Sequence, residues 1–256
     1  MTVEDEQRML LKAVTDHPDD DAPRLAYADW CDRRGDPRGR FIRVQIELAK
    51  IGEHRDDPNR LPLQWESTEL LSLYEHEWMP QGHPYILRSK FHRGFIASIE
   101  LTADDFLEHA SDLYAQFPIQ LIEIEKMSGR AREVLTSPHL EQICAASFSR
   151  SKLTDDDIRA FAQSPFIRNI WWLDLTFNKI GMPGVEALVT STFLTKLGYV
   201  ALDENPCNPI ESAGDDQGTV TEVWLPADGK LLEQRFGHIK WLHRRSADPL
   251  LTPEQR

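Results

Sequence analysis

Long apolar runs are missing from this chain. None of its 256 residues lies in a stretch approaching the roughly 18 that a membrane-spanning helix requires. The first residues, Met1-Thr2-Val3-Glu4-Asp5-Glu6, offer neither the basic cluster nor the apolar segment of a secretory signal, so a cytoplasmic location is the expectation. Cysteine is scarce too. Cys31, Cys144 and Cys207 are odd in number and far apart, which excludes a disulfide framework and the paired spacing of a zinc knuckle, and they read as reduced structural thiols. Positive charge is in deficit: 29 Lys and Arg stand against 42 Asp and Glu, a net charge of −13. That disfavours wholesale nucleic-acid binding and favours basic or neutral partners. No catalytic constellation and no metal-ligand spacing is evident, so neither a cofactor nor a metal is expected. What is present, 41% apolar and 28% charged residues, is ordinary for a globular protein with one large domain or two modest ones.

Residues 1–80 read as helical. Thr2 caps a first helix whose apolar face is Met9, Leu10, Ala13 and Val14. Asp21 caps a second, with Pro23 in its first turn and Leu25, Ala26, Trp30 and Cys31 along it before Gly35. A third carries Phe41, Val44, Ile46 and Leu48. A fourth spans 63–78 with Leu70, Leu71, Leu73 and Tyr74 as its apolar side. Charges of both signs crowd this region: Arg24, Asp29, Asp32, Asp36 and Arg38, with Arg33, Arg34, Arg40 and Arg43 beside them. They read either as ion pairs orienting two helices around Trp30 and Phe41 or as an acid–arginine site. The first is preferred, because charged helix faces are ordinarily solvated or paired.

The run from Asp21 to Gln45, with Arg24-Leu25-Ala26-Tyr27-Ala28-Asp29-Trp30 and Gly35-Asp36-Pro37-Arg38-Gly39 inside it, resembles the bacterial repeat-companion domain. That small N-terminal module is found joined to repeat arrays, often leucine-rich ones; Cys31 stands where Leu is usual. The resemblance implies a helical module followed by repeats, and it assigns no catalytic role to any residue. Pro80, Gly82 and Pro84 mark a linker, and Phe91-His92-Arg93-Gly94-Phe95 fits the same family's junction, which makes 81–94 the connection.

Residues 95–205 then repeat. Ser137-Pro138-His139-Leu140, Ser164-Pro165-Phe166-Ile167 and Ser191-Thr192-Phe193-Leu194 succeed one another at 27-residue steps, within the roughly 20–29 of leucine-rich repeats. Ile170 to Ile180 fits the consensus L-x-x-L-x-L-x-x-N-x-L. In that register Ala146 and Phe148 match Leu173 and Leu175, which match Val200 and Leu202. Ser151, Asn178 and Asn205 share the turn, where an Asn side chain both donates to and accepts from neighbouring backbone. Strand, Asn turn and helix in succession resemble the ribonuclease-inhibitor class of repeat. Less regular strands at 97–101 and 121–124 bring the number to about five. The expected fold class is α/β: a small N-terminal helical module, a short leucine-rich repeat solenoid of about five parallel strands, and a C-terminal capping segment with a mobile tail over 206–256. Repeats bury their core only against neighbours, so both ends need covers. His238 to His243 is expected as a further short strand, with both histidines structural.

Alternate side chains of a parallel sheet share a face, so the register predicts three outward lanes on the concave side. They are Ser98, Leu121, Ala145, Trp172, Tyr199; Glu100, Glu123, Ser147, Asp174, Ala201; and Thr102, Glu125, Ser149, Thr176, Asp203. The candidate contact residues are Trp172, Tyr199 and Thr176 with the acids Glu100, Glu123, Glu125, Asp174 and Asp203. Trp and Tyr are over-represented among binding hot spots, whereas acids alone serve to keep an open sheet soluble. The leading expectation is a non-catalytic interaction module, an adaptor, regulator or inhibitor. It would grip another protein of basic or mixed surface, alone or as a subunit of a larger complex, with no membrane and no nucleic acid involved. The rival is a ligand-binding or enzymatic site at Arg24, Asp29, Asp32, Asp36 and Arg38. RNA contact through the five arginines of 33–43 ranks third.

Overall fold

Four helices open the chain: α1 (Val3–Asp16), α2 (Asp21–Asp32), α3 (Arg38–Ile51) and α4 (Arg60–Trp78). The computed structural model describes residues 2–52, 54, 56–79, 83–125, 127, 129–207, 209–214, 220–244, 248–251 and 255. Local chemistry sets the starts. Thr2 and Asp5 exchange side-chain-to-backbone hydrogen bonds of 3.0 and 3.1 Å, a reciprocal capping box. At α2 the cap is Asp20, one residue earlier than expected, taking the Ala22 N–H at 2.9 Å.

These helices bury Val14, Tyr27, Ala28, Trp30, Cys31, Ile42 and Ile46 together with Phe95. Tyr27 stacks on Trp30 and meets Phe95 edge-on, and Phe41 stacks on Trp78. The fourth helix differs from expectation: Leu73 is exposed, as are Leu61 and Trp65, while Trp78 is its buried apolar anchor. Its apolar residues are distributed around the helix, so no single face can bury them all.

A strand follows where the sequence predicts only a connecting segment. After β1 (Arg88–His92), Arg93 and Gly94 adopt φ of 49° and 81° and return the chain as β2 (Phe95–Thr102). Paired positive φ values suit a tight two-residue reversal. Gly94 is the residue the turn demands. A Cβ there would lie 2.3 Å from Cγ1 of Ile42 and 2.6 Å from its Cα, so a close backbone approach to α3 depends on the missing side chain.

Arg93 is 1% exposed and holds the start of α2 in place. Its guanidinium donates to the Asp19 and Pro18 carbonyls at 2.9 and 2.6 Å, to the Asp21 carboxylate at 3.0 Å and to the Gln120 amide oxygen at 3.2 Å. Gln120 in turn donates to the Asp19 carboxylate at 2.7 Å. Arg24, fully buried, shares the Pro18 carbonyl at 2.8 Å and lies over the Phe95 ring.

The first compact unit takes in the residues up to Ile99, Ser111–Gln120 and the stretch from Leu250 on; the second takes in Glu100–Ala110 and Leu121–Pro249. Where a mobile tail is expected, Leu250 and Leu251 are buried, and the Gln255 amide donates to the Ala49 and Lys50 carbonyls at the end of α3. Those carbonyls close a helix and need partners from outside it, and Gln255 supplies one.

The rest of the chain runs α5 (Ala103–Gln116), β3 (Leu121–Glu125), α6 (Ala131–Leu135), β4 (Ala145–Ser147), α7 (Asp155–Ala162), β5 (Trp172–Asp174), α8 (Met182–Thr190) and β6 (Tyr199–Ala201). An antiparallel pair, β7 (Glu211–Gly214) and β8 (Val220–Trp224), and α9 (Ala227–Phe236) complete it. Strands β1 to β6 form one sheet in sequence order, parallel from β3 to β6. The fold is mixed α/β, with nine helices among the described residues. Among them no helix is long and apolar enough to cross a membrane. His238 to His243 ends in a 3-10 turn, Lys240–His243, instead of the expected strand, with Trp241 and Leu242 buried beneath it.

The 27-residue interval has a physical counterpart at each turn. Arg150, Phe177 and Glu204, spaced at that interval, all take positive φ of 56–58°. Asn178 follows the second. Its Oδ1 accepts the Ser151 and Leu153 N–H at 3.1 and 2.9 Å, and its Nδ2 donates to the Phe148, Leu175 and Thr176 carbonyls at 3.0, 2.8 and 3.2 Å. Asn205 repeats the pattern, accepting from Ile180 N–H and donating to Leu175 and Leu202 carbonyls. Ser151, with its shorter side chain, donates to the Ser149 carbonyl.

Candidate functional site

The backbone pairing brings Leu121, Ala145, Trp172 and Tyr199 side by side, and Glu123, Ser147, Asp174 and Ala201 beside one another. Period-two alternation then sorts the side chains of β5. Trp171, Leu173 and Leu175 are buried; Trp172, Asp174 and Thr176 are half-buried. Trp172 and Tyr199 stack with ring centroids 5.7 Å apart and planes 17° from parallel, and both remain half-buried rather than sealed. Burial first, and then the negative charge of Asp203 and Asp174, pushes the Tyr199 phenol above its ordinary value, so it stays a neutral hydroxyl.

Asp174 is aimed by its neighbours. The Ser147 hydroxyl donates to one carboxylate oxygen at 2.8 Å and the Thr176 N–H to the other at 2.9 Å. Ser149 and Thr176 hydroxyls lie 2.9 Å apart. Asp203 is exposed, and Glu100 and Glu123 are half-buried; the Glu125 side chain lies outside the described residues. The first lane is narrower than expected: Ser98, Leu121 and Ala145 are buried, so it opens only at the Trp172–Tyr199 pair. Alternation fixes the face to which a side chain points, not whether that face is open.

The charged residues of the N-terminal helices enter separate contacts. Arg43 binds Asp29 and Asp32, the latter at 2.9 Å. Asp36 accepts the Arg38 N–H at 2.8 Å within its own turn, and the Arg38 guanidinium lies over the Tyr27 and Phe95 rings. Arg24 faces the Pro18 carbonyl, its Nε and Nη1 without a hydrogen-bond partner among the described residues. Burial and then the Arg93 charge pull the Arg24 guanidinium down to about 9, so carrying this charge costs the fold. Burial also pushes the Cys31 thiol up to about 12, far from a reactive thiolate.

One grouping escaped the sequence reading. His238 and His243 do have an acid beside them, Glu233, and the signal was an even Glu-x4-His-x4-His spacing across a helix end. No protein family, no curated protein and no solved structure was found to match the chain.

Proposed function

We propose that this chain is a non-catalytic protein-binding module whose contact face centres on Trp172, Asp174, Thr176, Tyr199 and Asp203. In this reading the N-terminal helices are a repeat-companion-like module. The stretch 95–205 is a short leucine-rich repeat solenoid of the ribonuclease-inhibitor type, and the remainder covers its end. The turn asparagines, each accepting backbone N–H groups from the turn before it, support the repeat assignment. The observation that carries the function is the stacked, half-open Trp172–Tyr199 pair beside an Asp174 whose carboxylate is fixed by two hydrogen bonds. A rigid aromatic anchor next to a positioned acid suits a protein surface carrying Lys or Arg. Asp29 and Asp32 are paired with Arg43, which leaves the rival N-terminal site without a supporting observation.

The test uses the protein that co-purifies with the wild-type chain from its native host. Trp172→Ala and Tyr199→Ala should each weaken capture by about 2 kcal/mol, roughly thirtyfold. Adding Asp174→Lys should abolish it while thermal unfolding stays within a few degrees of wild type. Wild-type capture by the folded triple variant would show that this face is not the contact surface.

A further inference from the structure

We propose that Glu233, His238 and His243 form a surface binding site for a divalent transition-metal ion, of which zinc is the best fit. Glu233 projects from the last turn of α9. Gly237, at φ 83°, ends that helix and reverses the chain so that His238 returns over Glu233. The 3-10 turn Lys240–His243 then brings His243 to the same point, and its position is anchored by Trp241 and Leu242, both buried. Glu233 Oε1 lies 2.8 Å from His243 Nε2 and 3.1 Å from His238 Nδ1. The three ligand atoms all fall within 4.8 Å of one another, and the imidazole rings stack with centroids 4.8 Å apart.

These distances come within reach of a metal's needs. Ligands bonded to zinc at about 2.0–2.1 Å in a tetrahedral arrangement stand about 3.3 Å from each other. The Glu–His contacts, at 2.8 and 3.1 Å, would have to open by a few tenths of an ångström, and the two histidine nitrogens, within 4.8 Å of each other, would have to draw together to that spacing. The carboxylate is held for the role by a second interaction, since Oε1 also accepts the Ile239 N–H at 2.8 Å. Such outer hydrogen bonds orient ligands and limit the rearrangement that binding requires. The same amide, followed by the His243 hydrogen bond, keeps the Glu233 carboxyl below the usual carboxylate range, in the ionised form a metal takes.

The donor set selects among ions. Magnesium and calcium require mostly oxygen ligands, whereas two imidazoles with one carboxylate suit zinc, copper or nickel. His238 is 71% and His243 44% exposed, so solvent or a side chain from another molecule can reach the remaining coordination position. Three protein ligands with a fourth position open is the arrangement of exchangeable zinc, not of a closed structural site.

The experiment is calorimetric titration of the whole, chelator-treated chain with Zn²⁺ alone, in parallel with the His238→Ala/His243→Ala double variant and Glu233→Gln. Wild type should take up one high-affinity equivalent, and the double variant should bind that equivalent about a hundredfold more weakly, equal to about 2.7 kcal/mol. Saturating Zn²⁺ should raise the unfolding temperature of wild type and leave that of the double variant unchanged. Both histidines are exposed, so circular dichroism of the variant should match wild type. Absence of a saturable equivalent in wild type, or an equivalent undiminished in the folded double variant, would overturn the proposal.

Discussion

Replacing Asn178 with Ala should cost the protein about 4 kcal/mol, among the largest single-residue effects in the chain. The substitution removes five hydrogen bonds at once. More important is what it leaves. The Ser151 and Leu153 N–H groups are held in buried contacts with Oδ1, and each stranded buried donor costs about 1–3 kcal/mol. The nearby Ser151 hydroxyl does not replace Oδ1, because it donates to the Ser149 carbonyl. Urea unfolding followed by fluorescence should show the loss as a lower midpoint, and heat unfolding should fall by about 10 °C or more. Asn205→Ala provides the internal comparison. Among the described residues it loses one accepted N–H bond, from Ile180, at a half-buried position, so about half the effect is expected. An Asn178→Ala protein within about 1 kcal/mol of wild type would mean that the asparagine is replaceable by water and that the turn does not depend on it.

Arg93→Ala should be comparably damaging, at about 3–5 kcal/mol, whereas Arg24→Met should cost about 1 kcal/mol or less. The two cations sit at the same carbonyl, and their difference lies in partners. Arg93 makes four hydrogen bonds, one of them to a carboxylate, so its loss removes the buried donor that Asp21, Gln120 and the carbonyls preceding α2 have in common. Arg24 has one hydrogen bond and pays for a charge that burial and Arg93 both oppose. An unbranched apolar side chain of similar length fills that space without the charge. Parallel denaturant curves for the two variants decide the matter. Equal losses would show that the Arg24 charge is worth as much as the paired one, contrary to its surroundings.

Much of the second unit was legible because two short-range rules govern it. Side chains alternate every residue along a strand, so Leu173 and Leu175 predict both the buried row and its half-open complement. A turn that leaves backbone groups unpaired needs a side chain able to donate and accept, which is why Asn178 and Asn205 mark the interval so clearly. What stayed hidden depends on distant pairing. Arg93 reads as one charge in a junction, and nothing near it in sequence announces Pro18, Asp19 or Gln120 as partners. Gly94 reads as part of a junction, yet its close neighbour is Ile42. At the candidate face, Trp172 and Tyr199 were found by register, while the burial of Leu121 and Ala145 needed the surrounding fold to be known. Glu233 was overlooked beside His238 and His243 because the helix end and the glycine reversal that join them fall between recognised spacings.

The contact between Gln255 and the end of α3 bears on how the molecule is made. Lys50 and Gln255 are 205 residues apart in sequence but belong to one folded unit. At about 5–20 residues per second, a ribosome needs about 10–40 s between delivering the first and the second. Throughout that interval the opening helices wait with the Ala49 and Lys50 carbonyls uncovered and without Leu250 and Leu251 in place. A nascent chain halted before residue 250 therefore lacks part of its first folded unit, an incomplete state open to chaperones and proteases. Completion of the first folded unit is a late event in synthesis, set by the arrival of the segment from Leu250 on.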